Sequence, residues 1–134
     1  MCALVQGGGY AEYVVAHQDN VLFIPQGLTL VEGGILLETF MTVWSHLFQH
    51  AKWRPGSSIL IHGGTSGIGT TATMLTRTFG ATQIFTTVSS VDHQKASIKL
   101  GADVAINYRE DNFVERVKQH TRSWRGFCSE FYCR

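Results

Sequence analysis

The sequence has few cysteines, few charged residues and no long apolar run. Its three cysteines are odd in number and dispersed, so they indicate neither a disulfide framework nor a four-ligand zinc site. Charged residues make up 16% of the chain and the net charge is +1, which leaves no basic surface for nucleic acid or an anionic membrane. No apolar run reaches the roughly 20 residues that cross a bilayer, and the first residues lack the features of a secretory signal. The composition therefore predicts a cytoplasmic protein without nucleic-acid or membrane partners.

Glycine, in contrast, is abundant at 14 residues, and four of these lie close together within residues 57–72. An apolar run at 59–61, then glycines, then a helical pattern is typical of the first β-turn-α unit of a nucleotide-binding sheet. Glycines let the backbone approach a diphosphate, and the helix start offers that anion unpaired N–H groups and a positive dipole end. The alternative is a glycine-rich turn without a ligand. The predicted pyrophosphate site is a G-x-x-S-x-x-G variant comprising Gly63, Gly64, Ser66, Gly67, Ile68 and Gly69, in which residues 66–69 supply backbone and hydroxyl donors.

Helical and strand patterns alternate after this turn. Strands joined by helices of these lengths run parallel and are connected by right-handed crossovers. The pattern therefore predicts an α/β fold containing the first half of a doubly wound parallel sheet, in strand order 3-2-1. No apolar fourth strand follows, and residues 122–134 are predicted to form an irregular tail. The predicted elements are helix 67–79, strand 83–88, helix 91–100, strand 104–107 and helix 112–120.

The first part of the chain has a different pattern. Alternating segments at 2–5, 11–15 and 21–24 predict three short strands, which cannot form a closed sheet by themselves. Thr29 and Glu32 then fit a capping box, which predicts the start of a helix.

Two glycines weaken that first predicted helix. Gly33 and Gly34 each cost roughly 1 kcal/mol relative to alanine, and a better helical pattern runs over 39–51. We therefore predict two separate helices that connect the strands to the glycine-rich turn. The predicted division of the chain is 1–27 for the strands, 28–56 for the connecting helices, 57–121 for the nucleotide-binding unit and 122–134 for the tail.

Several segments, in order, resemble one family over about residues 2–121. The segments CALVQGGGYAEYVVA, GLTLVEGG, ETFMTVW, GSSILIHGGTSGIGTTA, LGADVAINY and DNF closely resemble the zeta-crystallin-like quinone oxidoreductases of the medium-chain dehydrogenase/reductase superfamily. The resemblance implies a GroES-like β domain followed by a Rossmann domain. It also implies an NADPH-dependent, zinc-free reductase of quinones or other electrophilic carbonyls. By this resemblance, 1–27 are the last strands of the GroES-like domain and 57–121 are the first half of the Rossmann domain.

The sequence also departs from the family pattern. Gly33 and Gly34 stand where alanines are usual, Leu37 where proline is usual and Ser89 where glycine is usual. Most of the GroES-like domain and every Rossmann strand after the third have no counterpart, and the tail from Ser123 does not match. These differences lead us to expect a truncated fragment, whose tail a frame-shifted reading would explain.

The choice of cofactor depends on the residues about 20 positions after the turn, where an NAD enzyme has a carboxylate for the ribose. Ser89 and Ser90 stand there, with no carboxylate before Asp92. Hydroxyl groups with His93 and Lys95 nearby suit a 2′-phosphate, because a phosphate requires donors and positive charge. The sequence therefore predicts NADPH as the cofactor.

The family resemblance adds roles for four residues. The family has a lysine at the position of His93 in many members and at that of Lys95 in some. The family's tyrosine at the 2′-phosphate matches Tyr108, and the family's threonine near the nicotinamide phosphate matches Thr42. The alternatives are a solvated helix charge for Lys95, an aromatic covering the core for Tyr108 and a hydroxyl bonded to its own helix for Thr42.

The other histidines predict no metal site and no catalytic base. His46 and His50 have i, i+4 spacing, but no third ligand is evident. His62, on the predicted buried strand, is expected to be a hydrogen-bonded core residue. No nucleophile–base pair or carboxylate pair stands out, so no catalytic residue is assigned; hydride transfer is consistent with this, because the cofactor carries the chemistry.

Two functions follow from these patterns. The first is NADPH-dependent reduction of a small quinone-like substrate. The second is a nucleotide-binding or inert fragment of such an enzyme, because three strands can hold adenosine and pyrophosphate whereas the nicotinamide binds beyond the strand-order reversal. A short-chain dehydrogenase is disfavoured, since the turn is not N-terminal and no Tyr-x-x-x-Lys pair follows. A homo-oligomer formed through an exposed edge of the first Rossmann strand is a further expectation.

Overall fold

The computed structural model of the chain describes residues 1–121 and the backbone of residues 127–129. It divides into two units, Met1–Thr42 and Val43–Arg134, which are described in turn. Among the described helices, none has the length and apolar character needed to cross a membrane.

The first unit contains one short antiparallel strand pair. Strand β1 (Cys2–Ala3) pairs with β2 (Val21–Leu22). The prediction of a strand at 11–15 is wrong, because this segment has no regular structure. The backbone groups of a strand must pair with a neighbouring strand. Because β1 and β2 are only two residues long, they offer no pairing partner to residues 11–15. The side chains of Tyr13 and Val15 in this segment are largely exposed.

The predicted capping box is present at the start of helix α1 (Leu30–Trp44). The Glu32 carboxylate accepts hydrogen bonds from the Thr29 N–H and from the Thr29 hydroxyl, each at 2.8 Å. In return, the Glu32 N–H donates to the Thr29 hydroxyl at 3.3 Å. These bonds favour the ionised carboxylate, so the pKa of Glu32 lies below its usual value.

The prediction of two separate helices is wrong, since α1 continues through Gly33 and Gly34. Gly33 is buried, and a Cβ atom there would lie only 2.7 Å from the Ile24 side chain. In this packing the Ile24 side chain occupies the place that a side chain at residue 33 would take, and this contact offsets the lower helix propensity of glycine. A π-helical turn, Ser45–His50, follows α1 directly.

The second unit is built on a parallel sheet, as the sequence predicts. Its strands are ordered β5-β4-β3-β6, so the first three run 3-2-1 in chain order. The strands are β3 (Ser58–His62), β4 (Gln83–Val88), β5 (Val104–Asn107) and β6 (Phe127–Ser129). The helices are α2 (Gly67–Thr78), α3 (Val91–Lys99) and α4 (Phe113–His120).

The prediction of an irregular tail is wrong for β6. This strand pairs in parallel with residues 59–61 of β3, on the side opposite β4. Parallel pairing requires only a free backbone edge, which β3 offers, and not the long apolar run on which the prediction depended. The pairing also occupies the edge of β3 that an oligomer was expected to use. Residues 122–126 and 130–134 lie outside the described residues.

Apolar side chains pack on both faces of this sheet. Alternate residues of β3 point to opposite faces, so Ile59 and Ile61 join one cluster and Leu60 joins the other. Helices cover both faces, which explains why the strands read as apolar runs. The first cluster consists of Val43, Leu47, Trp53, Ile59, Ile61, Ala72, Ala81, Ile84 and Ala102, and the second of Leu60, Phe85, Ile106 and Val117.

Lys52, two residues after the π-helical turn, has a left-handed backbone with a φ of 51°. Of the described residues other than glycine, it alone has a positive φ. The flanking amides close the turn, since the N–H of Ala51 donates to the His46 carbonyl at 2.9 Å and that of Trp53 donates to the Leu47 carbonyl at 2.8 Å. An L-residue in this conformation is strained, whereas glycine is not.

We expect Lys52→Gly to unfold at higher urea concentration than Lys52→Ala, with a free energy of unfolding greater by about 1 kcal/mol. Both variants remove the lysine charge, so the comparison isolates the Cβ atom in the left-handed backbone. Urea denaturation followed by circular dichroism measures the difference. Equal stability of the two variants would contradict the assignment of strain to this position.

Candidate functional site

The predicted site residues of the second unit follow the carboxyl ends of three neighbouring strands. The glycine-rich turn follows β3, Ser89 follows β4 and Tyr108 follows β5. The carboxyl ends of parallel strands lie at one edge of the sheet, which is where α/β proteins bind ligands. The fold therefore brings three separate segments of sequence to the same edge.

The turn after β3 packs backbone against backbone. Gly63 has a φ of +69° and turns the chain sharply at the end of the strand. Gly69 is buried, and a Cβ atom there would overlap the carbonyl oxygen of Gly63 and lie 3.1 Å from the Cα of Gly64. The start of helix α2 can pack this closely on the turn only because residue 69 has no side chain.

Two of the four amides predicted to bind the pyrophosphate are already bonded within the turn. The N–H of Ser66 donates to the Gly63 carbonyl at 2.9 Å. The N–H of Gly69 donates to the Ser66 hydroxyl oxygen at 3.0 Å, which makes Ser66 the N-cap of α2. The amides of Gly67 and Ile68 have no acceptor among the described residues. The donors left for an anion are these two N–H groups and the hydroxyl proton of Ser66.

The side-chain position of Gly67 is open. A Cβ atom at Gly67 would have no heavy atom of the described residues within 4 Å. Gly67 is also exposed and is the first residue of a 12-residue helix, so its N–H lies at the positive end of the helix dipole. The helix start therefore offers unbonded N–H groups of the kind that bind anions.

The segment after β4 groups two serines with a histidine. The Ser89 hydroxyl oxygen lies 3.2 Å from Nδ1 of His93. The Ser90 hydroxyl caps α3 by accepting a hydrogen bond from the His93 N–H at 3.3 Å. Lys95 has a different partner, because its Nζ lies 3.9 Å from a carboxylate oxygen of Asp92 and both side chains are largely exposed. Of the two cations predicted to hold a 2′-phosphate, His93 lies with the serines and Lys95 is paired with a carboxylate.

Tyr108 lies beside the end of β4. Its N–H donates to the carbonyl of Val88, the residue before Ser89, at 3.0 Å. Its side chain is 53% exposed, so the ring is accessible at this edge of the sheet.

Thr42 belongs to the first unit, whereas the glycine-rich turn, the serines and Tyr108 belong to the second. Its hydroxyl donates to the carbonyl of Glu38, one turn earlier in α1, at 2.7 Å. This is the back-bonded geometry that the sequence left open as the alternative to a role at the cofactor.

The sequence prediction missed Thr87, which holds the turn against β4. The Thr87 carbonyl accepts from the N–H of Gly64 at 2.9 Å, and its hydroxyl accepts from the N–H of Gly63 at 3.4 Å. The same hydroxyl lies 3.0 Å from Nδ1 of His62, which makes His62 the hydrogen-bonded residue that was predicted. The available signal was a pair of threonines at the end of an otherwise apolar strand.

A second buried hydroxyl pair fixes α3 next to the turn. The hydroxyls of Thr86 and Ser97 lie 2.7 Å apart, and both residues are buried. A Cβ atom on Gly64 would lie 2.6 Å from the Cβ of Thr86 and 3.0 Å from the Ser97 hydroxyl. Strand β4, helix α3 and the turn therefore meet where residue 64 must be glycine.

The described residues contain no group of three His, Cys, Asp or Glu side chains that could hold a metal ion. The rings of His46 and His50 lie 5.6 Å apart.

Comparison with known proteins gives relatives in both sequence and structure. The family described as zinc-binding dehydrogenase matches residues 67–127. The quinone oxidoreductase of Homo sapiens is 31% identical over 113 residues, which cover 84% of this chain and 34% of that protein. The chain spans about a third of the length of the curated relatives it matches first.

Two solved quinone oxidoreductases share the fold. That of Thermus thermophilus, described with its NADPH complex, matches with a TM-score of 0.76 and 30% identity, covering 88% of this chain and 39% of that one. That of Escherichia coli, complexed with NADPH, matches with a TM-score of 0.65 and 26% identity, covering 78% of this chain and 32% of that one. Two of the similar structures are thus proteins whose reported complexes contain NADPH.

Proposed function

Since the chain belongs to the medium-chain dehydrogenase/reductase superfamily, in which it is similar to quinone oxidoreductases, we propose that it binds NADPH at the carboxyl edge of its parallel sheet. We further propose that the protein to which this segment corresponds reduces a small quinone or another electrophilic carbonyl. The observation that carries the proposal is the pair of amides without an acceptor among the described residues, Gly67 and Ile68, at the start of α2, where Gly67 is exposed.

The glycine-rich turn would hold the pyrophosphate. The N–H groups of Gly67 and Ile68 have no acceptor among the described residues, and the Ser66 hydroxyl, which accepts from the Gly69 N–H, retains a proton to donate. Hydrogen bonds from such groups to a charged phosphate are about twice as strong as neutral ones, and the dipole of α2 adds to them. The cofactor, when bound, supplies the hydride, and the task of these residues is to bind and orient it.

The segments after β4 and β5 would distinguish NADPH from NADH. Ser89, Ser90 and His93 present hydroxyl and imidazole groups where a carboxylate would contact an unphosphorylated ribose. Tyr108 adds an accessible phenol at the neighbouring strand end. Donors favour a 2′-phosphate and leave an unphosphorylated ribose without its usual acceptor. We propose that this reaction proceeds without a zinc ion.

A second candidate is nucleotide binding without catalysis by these residues alone. On the side of β3 opposite β4, the described sheet has one strand, β6, of three residues. The nicotinamide half of such a cofactor binds on this side, past the point where the strand order reverses. The adenosine and pyrophosphate half corresponds to β3, β4 and β5, whose ends carry all the predicted phosphate ligands of the second unit. This candidate predicts binding without turnover.

Calorimetric titration of the purified chain with NADPH and with NADH tests the proposal. We expect NADPH to bind at least about tenfold more tightly, because a phosphate held by charge-assisted bonds contributes more than about 1.4 kcal/mol. Equal affinities would contradict the assignment of Ser89, Ser90 and His93 to the 2′-phosphate. Consumption of NADPH with 1,4-benzoquinone, relative to a control without protein, then separates the enzyme from the binding-only fragment.

A further inference from the structure

We propose that His62 is a positioning residue for the glycine-rich turn: it accepts the proton of the Thr87 hydroxyl and so keeps the Thr87 oxygen on the N–H of Gly63. This role rests on the proposed function and goes beyond it. It assigns the placement of the phosphate-binding amides to two side chains that are not themselves proposed to contact the cofactor.

The Thr87 hydroxyl has two hydrogen-bond neighbours among the described residues. Its oxygen lies 3.4 Å from the backbone nitrogen of Gly63, which can only donate, and 3.0 Å from Nδ1 of His62. If Nδ1 carried a hydrogen, the hydroxyl proton of Thr87, which is 3% exposed, would have no acceptor in this part of the structure. The oxygen therefore accepts from Gly63, the hydroxyl donates to His62, and the neutral ring carries its hydrogen on Nε2.

A second contact orients the His62 ring. The ring packs edge-on against that of Phe113, the first residue of α4, with the centroids 5.1 Å apart and an angle of 84° between the planes. His62 is the last residue of β3, and Thr87 belongs to β4. Two strands and a helix therefore meet at this side chain and determine where Nδ1 lies.

The position of Gly63 determines where α2 begins. Thr87 holds the N–H of Gly63 through its hydroxyl and that of Gly64 through its carbonyl, at 2.9 Å. The Gly63 carbonyl in turn accepts from the N–H of Ser66, the N-cap of α2, at 2.9 Å. A rotation of Gly63 would therefore move the amides that we propose to hold the pyrophosphate. Because the hydroxyl bond is the longer of the two from Thr87, its loss is expected to shift the turn rather than unfold it.

Variants at two neighbouring threonines separate positioning from stability. Thr87→Val removes the hydroxyl while keeping the branched shape, and Thr87→Ser keeps the hydroxyl. Thr86→Val is the matched control, because Thr86 is also buried and its hydroxyl pairs with Ser97 rather than with the turn. The probes are NADPH and 2′-AMP, which share the adenosine 2′-phosphate, whereas only NADPH has a pyrophosphate. Calorimetric titration gives the ratio of the two affinities for each variant.

We expect the ratio of NADPH affinity to 2′-AMP affinity to fall about threefold to fivefold in Thr87→Val and to keep its wild-type value in Thr87→Ser and Thr86→Val. Both valine variants are expected to unfold at lower urea concentration, so a general loss of stability would not produce this pattern. His62→Phe keeps a ring against Phe113 without the acceptor, and it is expected to lower the ratio by a similar factor. Since His62 and Thr87 act through one hydrogen bond, the double variant is expected to lose no more than either single variant.

The tautomer of His62 provides a readout that involves no ligand. Nitrogen-15 NMR of the histidine-labelled chain at about pH 8, with the His62→Phe spectrum identifying the signals, is expected to show Nε2 as the protonated nitrogen. A hydrogen on Nδ1, an unchanged affinity ratio in Thr87→Val or an equal fall in Thr86→Val would overturn the inference and leave the nucleotide site standing. If the folded wild-type chain binds neither probe, the proposed function is overturned and the positioning role with it.

Discussion

Gly69→Ala is expected to lower the free energy of unfolding by about 3 kcal/mol or more, the largest effect of any substitution in the glycine-rich turn. The added Cβ atom would overlap the carbonyl oxygen of Gly63 and approach the Cα of Gly64. Both are backbone atoms, so no change of rotamer relieves the overlap, and the end of β3 would have to move away from α2. Urea denaturation followed by far-ultraviolet circular dichroism measures the loss of free energy of unfolding. If the loss exceeds the stability of the wild-type chain, the variant is unfolded even without urea.

Gly67→Ala is the matched control for this prediction. It adds the same methyl group two residues earlier, where the described residues leave open space. Position 67 is the first residue of α2, at which alanine has the higher helix propensity. We therefore expect Gly67→Ala to be at least as stable as wild type. Similar stability of the two alanine variants would show that the turn and the helix start do not pack as closely as described.

Gly67→Pro is expected to weaken NADPH binding about tenfold or more while leaving the fold intact. Proline at the first helical position is well tolerated, because that N–H has no intrahelical acceptor and the ring fixes a helical φ. The preceding residue, Ser66, has φ −70° and ψ 160°, the extended conformation that a residue before proline prefers. The substitution therefore removes one of the two unbonded N–H groups without disturbing the helix.

Gly67→Ala again provides the control, because it keeps the N–H while adding a side chain. Its NADPH affinity, measured by the same calorimetric titration, shows how much of any loss in Gly67→Pro is due to steric exclusion. If Gly67→Pro binds NADPH as tightly as wild type and has the wild-type circular dichroism spectrum, the amide at position 67 is not a phosphate ligand. Binding would then have to depend on Ile68, on Ser66 or on groups elsewhere.

The alternation of strands and helices in the second unit could be predicted because each element has its own local signal. The apolar run in β3 and the glycines after α2 and α3 were visible in the sequence. The structure confirms these helix ends, with positive φ at Gly80 and Gly101. The 3-2-1 strand order followed from the doubly wound pattern typical of nucleotide-binding sheets, so it required no knowledge of side-chain contacts.

The errors occur where distant residues override a local signal. Gly33 weakens a helix when considered alone, yet its contact with Ile24, nine residues earlier in the chain, keeps α1 continuous. Strand β6 is fixed by the free edge of β3, which no pattern within 127–129 reveals. The segment 11–15 alternates like a strand but has no partner in the first unit. In each case the missing information is which other part of the chain lies beside the segment.

The candidate site was predicted more completely in its residues than in their bonding. The turn and the serine pair lie at the carboxyl edge, but the sequence could not show that Ser66 and Gly69 bond to the turn itself. It also treated His93 and Lys95 as equivalent cations. A spacing of two residues along a helix puts them on different faces, so one contacts Ser89 and the other contacts Asp92.

The hydrogen bonds of Thr87 have a consequence for the energetics of recognition. Its hydroxyl accepts from the N–H of Gly63 and its carbonyl accepts from that of Gly64, and Ser89 follows two residues later, directly after the end of β4. The distance between the two regions that we propose to bind phosphate is thus determined when the protein folds. Such preorganisation lowers the entropy lost on association, and it selects ligands whose two phosphate groups have a matching separation.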